Sequence, residues 1–190
     1  MNKSRLFSIV ALFSIIVGCA STSAPKVDFD KNEQVNTSQY KTFAWLKETK
    51  ILAAPADMNP VMKIRIDDAI EAAFTAKGYQ LVDAPEKADF AISYTVGSRD
   101  KIKVDSFPTA YRTGFGWGHG YYGPHYGVAY GTETRVRSYT EGKLAVDVFD
   151  VASKQPAWHG VAVKRVRESD KEDPKATIKL IVDSVVSQFY

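Results

Sequence analysis

The chain has 190 residues, of which 45% are hydrophobic and 25% are charged, with a formal net charge of +3 and one cysteine. This length and composition are typical of one globular domain with a short extension, and they exclude a disordered or low-complexity chain. A single cysteine excludes an internal disulfide scaffold and a multi-cysteine zinc site, and a charge of +3 is too small to indicate nucleic-acid binding.

The first 18 residues have the pattern of a bacterial secretion signal. Lys3 and Arg5 supply a positively charged start, and an apolar run extends from Leu6 to Val17. A run of about 12 residues is too short to cross a bilayer as a permanent helix, which needs about 20. The sequence therefore predicts that residues 1–18 are a cleaved signal peptide.

The only cysteine, Cys19, directly follows this run and the small residue Gly18. The segment Ile16-Val17-Gly18-Cys19 resembles the lipobox of bacterial lipoproteins, in which the cysteine sulfur takes a diacylglycerol and the new amine takes a third acyl chain. Two or more acyl chains hold a protein stably on a membrane. Ala20 follows the cysteine, and resemblance to the sorting rule of Gram-negative lipoproteins implies the outer membrane, with the domain facing the periplasm. The alternative is an ordinary secretion signal with an incidental cysteine.

Loss of residues 1–18 changes the charge balance of the chain. The two basic residues of the signal leave with it, so that 23 basic residues stand against 22 acidic ones in the mature chain. Residues 20–26 are small and polar and contain Pro25, which is typical of a flexible tether. We therefore expect a lipidated tether and lead-in over residues 19–38, and a single domain over residues 39–190.

Six segments of this domain have the pattern of β-strands. Apolar residues alternate with polar ones, and aromatic and β-branched types are frequent. The predicted strands cover residues 40–46, 79–82, 90–96 (with an alternation that can be followed to 104), 132–140, 143–151 and 157–166. Residues 47–58 are predicted as a loop, and Glu141 and Gly142 are predicted as a turn between two strands.

Two segments have the pattern of amphipathic helices. Asn59 can cap a helix, Pro60 suits its first position, and apolar residues then recur at helical spacing until Gly78, where a helix should end. Asp173 and Pro174 repeat this start, and a second apolar stripe continues to the C-terminus. Because strands and helices do not alternate along the chain, an α+β fold is predicted: an antiparallel sheet of five to six strands with two amphipathic helices packed on one face.

Two motifs carry a resemblance to a known family. The first is TSQYKTFAWL at residues 37–46, and the second is YTEGKLAVDV at residues 139–148, followed by WHGVA at residues 158–162. With the strand start at residues 88–90, these segments resemble the bacterial envelope lipoproteins of the family called domain of unknown function 4136, over about residues 27–190. The resemblance implies a periplasmic, membrane-anchored α+β domain. It implies no activity, so no catalytic residue is carried over.

A glycine-rich and aromatic segment, residues 107–131, separates two predicted strands. It holds seven of the 12 glycines and five of the 10 tyrosines. Aromatic residues interleave with the glycines and no helix follows, which argues against a phosphate-binding loop. Two interpretations stay open: a long insertion outside the core, or a contact surface for sugar rings, a protein or a lipid interface. The residues of this candidate contact surface are Tyr111, Phe115, Trp117, Tyr121, Tyr122 and Tyr126.

No catalytic, cofactor or metal site is predicted from the sequence. His119 and His125 have no rigid frame and His159 is distant, so isolated histidines explain them better than metal ligands do. Asp147 alternates with apolar residues and is expected to face solvent, and the serines lie in no Gly-x-Ser-x-Gly elbow. Acidic residues directly follow the basic cluster at residues 164–167, which argues against nucleic-acid binding.

These observations favour a binding function. The first hypothesis is a non-enzymatic, outer-membrane-anchored periplasmic lipoprotein that acts as a binding or assembly module of the cell envelope, with the membrane and an envelope protein or glycan as partners. One alternative is an envelope enzyme that acts on a glycan, which a deep pocket with clustered carboxylates would favour. Another is a carrier of an apolar ligand, held in a cavity between the sheet and the helices.

Overall fold

The computed structural model describes residues 24–48, 50–56, 58–112 and 128–190. It contains one seven-stranded sheet with helices packed on it. The strands are β1 (Lys26–Lys31), β2 (Thr42–Trp45), β3 (Ile51–Ala53), β4 (Gln80–Leu81), β5 (Phe90–Arg112), β6 (Val128–Asp150) and β7 (Pro156–Arg165). The helices are α1 (Pro60–Ala76), α2 (Glu168–Glu172) and α3 (Pro174–Val186). Among the described residues, no helix is both long and apolar enough to cross a membrane.

The sheet is mostly antiparallel and has the strand order β1-β7-β6-β5-β2-β4, with β3 also beside β5. Strands β5, β6 and β7 form an antiparallel meander, and β1 is antiparallel to β7 at one edge. Strands β2 and β3 run parallel to β5, and β4 runs parallel to β2. The predicted α+β class is therefore confirmed, and the sheet has a parallel part that the sequence did not predict.

The two predicted helices begin at the residues that the sequence indicated. The Asn59 side chain accepts a hydrogen bond from Val61 N at 2.8 Å, and Asp173 Oδ1 accepts one from Ala176 N at 3.0 Å. A proline follows each cap at the first helical position, where its missing N–H costs nothing. After α1, Gly78 adopts a φ of +97°, a left-handed conformation that ends helices and that glycine tolerates best.

The core lies between the helices and one face of the sheet. Alternate residues of β5 point into it, because side chains on a strand change face at every residue, and Phe90, Ile92 and Tyr94 are fully buried. Phe189, just after α3, packs against the ring of Phe90 with the ring centroids 5.4 Å apart, and against Trp158 of β7 at 5.5 Å. Aromatic packing therefore joins the end of the chain to the centre of the sheet.

Three short segments differ from their predictions. Residues 26–31 and 51–53 form β1 and β3, although the sequence analysis assigned the former to the tether and lead-in and the latter to a loop. Both are brief strands, where few apolar positions are available to show alternation. The predicted turn at Glu141 and Gly142 is wrong, because β6 runs through it. Gly142 lies in register between Ser98 of β5 and Lys164 of β7, so pairing on both sides overrides its turn propensity.

Strands β5 and β6 continue well past the rest of the sheet. Strand β7 ends at Arg165, opposite Glu141, and β3 ends at Ala53, whereas the β5–β6 register continues to Arg112 opposite Val128. We call residues 100–112 and 128–140 the arm. In the part of the chain that the structure describes, no third strand pairs with the arm.

Candidate binding groove

An apolar groove opens between α1, α3 and the end of the sheet where the arm begins. Its volume is about 460 Å³, which lies within the range of about 300–1,000 Å³ that is usual for small-molecule sites. Helices and sheet contribute apolar side chains in pairs. These are Met62 and Ile66 from α1, Ile178 and Ile181 from α3, and Val96 and Leu144 from the sheet.

The spacing of these residues explains why they line one groove. Met62 and Ile66 are four residues apart on α1, and Ile178 and Ile181 are three apart on α3, so each pair lies on one helix face. Val96 lies directly opposite Leu144 on the face that the helices cover, and the groove therefore continues the core outward. One of its ends opens toward the arm.

Gly142 keeps the floor of the groove open. It is the next residue on the same face of β6 after Leu144, and it is opposite Ser98. A Cβ atom on Gly142 would meet Val166 Cγ2 at 3.7 Å, which is ordinary contact. Small residues at these two positions leave the space that a larger pair would fill, so the groove results from the sequence of the sheet as well as from the helices.

A buried ion pair forms one wall of the groove. Lys164 of β7 donates from Nζ to Asp170 Oδ2 at 2.5 Å, and both side chains are almost fully buried. Asp170 Oδ2 also accepts the backbone N–H of Arg167 at 2.9 Å. Burial alone raises the pKa of Asp170, but the hydrogen bonds from Lys164 and Arg167 outweigh it and hold the pKa below its ordinary value.

The Lys164 ammonium has capacity for further hydrogen bonds. An ammonium has three N–H donors, and among the described residues Lys164 Nζ donates to Asp170 alone. Lys164 is one of the residues that line a mostly apolar groove, where a hydrogen bond to a ligand would be stronger than in water. Among the described lining residues three lysines supply ammonium groups, Lys143, Lys164 and Lys171, and Lys164 is the buried one.

Most of the residues named as sites from the sequence lie outside the described part of the chain. Tyr111 is on β5, at the register position opposite Ala129. The lipidation residue Cys19 and the histidines His119 and His125 are outside the described residues. So are five residues of the candidate contact surface, namely Phe115, Trp117, Tyr121, Tyr122 and Tyr126.

His159 is bound to Asp147 on the sheet face opposite the helices. The Nδ1 atom of His159 lies 2.6 Å from Asp147 Oδ1, so Asp147 faces away from the core with a partner. Ser93 lies directly opposite Asp147 on β5, which places the carboxylate between the serine and the histidine. A hydrolytic triad needs the imidazole between the other two. Within the described ranges, no three His, Cys, Asp or Glu side chains are grouped to hold a metal ion.

The sequence alone did not indicate which residues line the groove, although the position of one residue in its strand could have indicated a buried charge. From the sequence, Lys164 was noted only as part of the basic cluster at residues 164–167. It nevertheless falls in phase with Trp158, Gly160 and Ala162, which face the core in β7. A charged residue on the buried phase of a strand is uncommon without a partner, and Asp170 is the partner that the structure shows.

Comparison with known protein families identifies the fold. The sequence profile described as Domain of unknown function (DUF4136) matches residues 25–189. The chain belongs to this family. No curated protein matches the chain. The crystal structure of a DUF4136 family protein from Bacteroides thetaiotaomicron VPI-5482 is similar to this one, with a TM-score of 0.52 at 18% identity, covering 88% of this chain and 96% of that one.

Two other solved structures are similar to this DUF4136 chain at lower scores. The PelC dodecamer from Paraburkholderia phytofirmans has a TM-score of 0.49 at 12% identity, covering 86% of this chain and 95% of that one. A PDZ domain protein from Parabacteroides distasonis ATCC 8503 has a TM-score of 0.46 at 13% identity. This chain is covered over 87% of its length in that comparison but spans only 36% of the PDZ domain protein.

Proposed function

We propose that this chain is a lipid-anchored, non-enzymatic binding module of the bacterial cell envelope that holds an amphiphile with a single alkyl chain in the groove. Cys19 carries the anchor, and the domain faces the periplasm from the outer membrane. The observation that supports the ligand class is the apolar groove with the buried Lys164 in its wall.

The walls of the groove suit an alkyl chain. Side chains of Met, Ile, Val and Leu offer dispersion contacts without hydrogen-bond partners, so a sugar ring would lose its hydration there without compensation. Each methylene that moves from water into such a site contributes about 0.8 kcal/mol. A chain of several methylenes therefore supplies enough free energy to offset the cost of association.

Lys164 determines the position of the head group. A carboxylate or ester oxygen on the amphiphile accepts the N–H groups that Asp170 leaves unused. Because Asp170 already balances the charge of Lys164, the head group is recognised mainly by hydrogen bonding. The same arrangement gives the glycan-enzyme alternative no support, because Asp170 is the one carboxylate among the described lining residues and is bound to Lys164.

The proposal is tested by filling the groove. Met62→Trp places a larger side chain in its α1 wall, and we expect at least a tenfold weaker affinity for cis-parinaric acid, a fluorescent fatty acid. The matched control is Ile64→Trp on the same helix, since Ile64 is 58% exposed and lies outside the groove. The protein is produced with Cys19→Ala behind a cleavable leader in place of residues 1–18, so that no detergent competes for the site.

The titration follows the fluorescence of the fatty acid, and circular dichroism and urea unfolding check that both variants are folded. Binding by the parent that survives Ile64→Trp and is lost in Met62→Trp supports the groove as the site. Equal affinities in the two variants, or no binding by the parent, would contradict the proposed ligand.

A further inference from the structure

The arm and the N-terminal tether leave the sheet at the same end. Lys26, the first residue of β1, lies across the sheet from Gly97 of β5 through Val163 and Lys143. From that level β5 continues to Arg112, a distance of about 50 Å at 3.3 Å per residue. The chain from Cys19 to Lys26 cannot exceed about 25 Å even when fully extended. An acylated Cys19 therefore keeps the bilayer closer to this end of the sheet than the arm is long.

One face of the arm carries a patch of three exposed apolar side chains. Ile102 is 72% exposed, and Val104 and Val136, which lie opposite each other, are 58% and 65% exposed. These three residues are on the same face as Val96 and Leu144, which line the groove. Asp100 and Thr140, whose side chains share a hydrogen bond of 2.6 Å, lie between the groove and these residues, so the apolar patch on the arm is separate from the groove.

The other face of the arm is basic. Lys101, Lys103, Arg135 and Arg137 alternate with the apolar positions, and the register places Asp105 and Glu133 on the same face. Lys103 Nζ lies 2.9 Å from Asp105 Oδ1, and Lys101 Nζ lies 2.8 Å from Glu141 Oε2 at the base of the arm. Over its whole sequence the arm holds five basic and three acidic residues, a net charge of +2, whereas the mature chain has 23 basic and 22 acidic residues. The rest of the mature chain is therefore slightly acidic, and the positive charge is concentrated on the arm.

We propose that the arm binds the surface of the membrane that anchors the protein, at anionic phospholipid. The apolar patch of the arm enters the interface between lipid and water. Because the arm is a single layer of two strands, the long basic side chains of its other face can bend around its edges and reach the head groups. The charged groups of these side chains then lie within one Debye length of the head-group charge, which is ~10 Å at 0.1 M salt. Each basic residue at such a surface contributes about 1 kcal/mol.

A lipid surface fits the arm better than a second copy of the chain does. Two arms side by side would bring two basic faces together, and like charges repel across strands. A bilayer, in contrast, accepts an apolar patch and a basic face at once and lies within reach of the tether. It also covers an exposed two-stranded ribbon, which is only marginally stable in water by itself.

This inference rests on the anchor part of the proposed function. The test uses the acylated protein in vesicles of phosphatidylglycerol and phosphatidylethanolamine. Ile102→Cys and Val136→Cys each introduce one thiol for an environment-sensitive NBD label. Ile64→Cys, on α1, is the control because Ile64 is similarly exposed. We expect doxyl-labelled lipid to quench NBD at the two arm positions several-fold more than at position 64.

The parent chain distinguishes a failure of the anchor from a failure of the arm. Its only cysteine is Cys19, so NBD uptake by the parent shows that the thiol is not acylated and that the anchor proposal fails. Without such uptake, equal quenching at all three positions overturns the membrane contact. The contact is independent of the groove, and Met62→Trp should leave quenching at the arm unchanged.

Recognition of anionic lipid by the basic residues of the arm is tested with separate variants. Lys103→Gln/Arg137→Gln should lower quenching at position 102 several-fold, and transfer to phosphatidylcholine vesicles should have the same effect. The matched control is Lys47→Gln/Lys87→Gln, which removes two exposed charges from the body of the domain. Equal quenching in phosphatidylcholine, or equal effects of the two double variants, overturns recognition of anionic lipid.

Discussion

At the scale of single residues, the charged groups of the domain are held by local partners. Asp89 Oδ2 accepts the backbone N–H groups of Lys41 and Thr42, both at 2.8 Å. These backbone hydrogen bonds hold the pKa of Asp89 below its ordinary value. The Tyr94 hydroxyl donates to Asp67 Oδ1 at 2.6 Å within the core, and burial together with this bond raises the pKa of Tyr94. Lys164 and Asp170 differ from these groups because they line a groove.

The ion pair in the groove is expected to be costly to break and much less costly to replace. Lys164→Met should lower the free energy of unfolding by about 3–5 kcal/mol, because the Asp170 carboxylate stays buried without a cation. Lys164→Met/Asp170→Leu should recover most of this loss. Lys171→Met is the control, since its pair with Glu168 is exposed and worth less than about 1 kcal/mol. Urea unfolding at pH 7 measures all three.

The same pair gives a pH dependence of known sign. The pKa of Asp170 is lower in the folded state than in the unfolded chain, so its contribution is complete above about pH 4 and is lost as the pH falls through the folded-state value. The double variant should lack this acid-side loss. If the free energies of unfolding of the parent and the double variant fall equally as the pH is lowered, Asp170 is not the source of the acid-side loss.

At the scale of elements, periodicity predicted the long segments, whereas neighbouring strands determined the short ones. Helices α1 and α3 combine a cap, a proline and an apolar stripe, and these local signals agree with the tertiary packing. Strand β3 has three residues and pairs only with β5, so its conformation depends on a neighbour that local sequence does not reveal. The groove was foreseen only as an apolar cavity among three alternatives, because its walls come from segments far apart in the chain.

The motif WHGVA, which contributed to the family resemblance, has a packing explanation in β7. A Cβ atom on Gly160 would lie 2.1 Å from Trp158 Cη2, so the indole ring covers the glycine and only a hydrogen fits beneath it. Trp158 is 4% exposed and packs against Phe189. The glycine at this position therefore allows the indole to lie flat between the sheet and the helices.

Gly160→Ala should destabilise the domain by about 1–3 kcal/mol, because the indole has to leave its place in a close-packed core. Gly97→Ala is the matched control in β5, where an added Cβ would have no neighbour within 4 Å. Urea unfolding gives the free energies, and near-ultraviolet circular dichroism reports the indole environment. A Gly160→Ala variant as stable as Gly97→Ala would mean that Trp158 has another low-energy position.

At the scale of the whole molecule, the start of β1, the groove and the arm all lie at one end of the sheet. Lys26, where β1 begins, is opposite Val163, the groove includes Lys164, and the arm starts beyond Glu141, which is opposite Arg165. With the membrane at that end, an amphiphile could pass between the bilayer and the groove without crossing water. The arrangement therefore connects the proposed ligand to the proposed location.

The proposed lipid anchor depends on one residue. Cys19→Ala should abolish incorporation of a labelled fatty acid into the protein in growing cells, because the cysteine sulfur carries the diacylglycerol in the lipoproteins that this segment resembles. Ser21→Ala, two residues further along, should leave labelling unchanged. Labelling that persists in Cys19→Ala would exclude Cys19 as the site of the anchor.

The pairing of β1 with β7 has a consequence for the order in which the domain can be completed. Strand β1 is the first element in the described part of the chain, and Lys26 pairs with Val163 of the last strand, 137 residues later. Closing a loop of that length is slow compared with forming the local β5–β6 hairpin. During synthesis, β1 therefore stays unpaired until β7 has emerged, and the edge of the sheet that β1 forms is completed late.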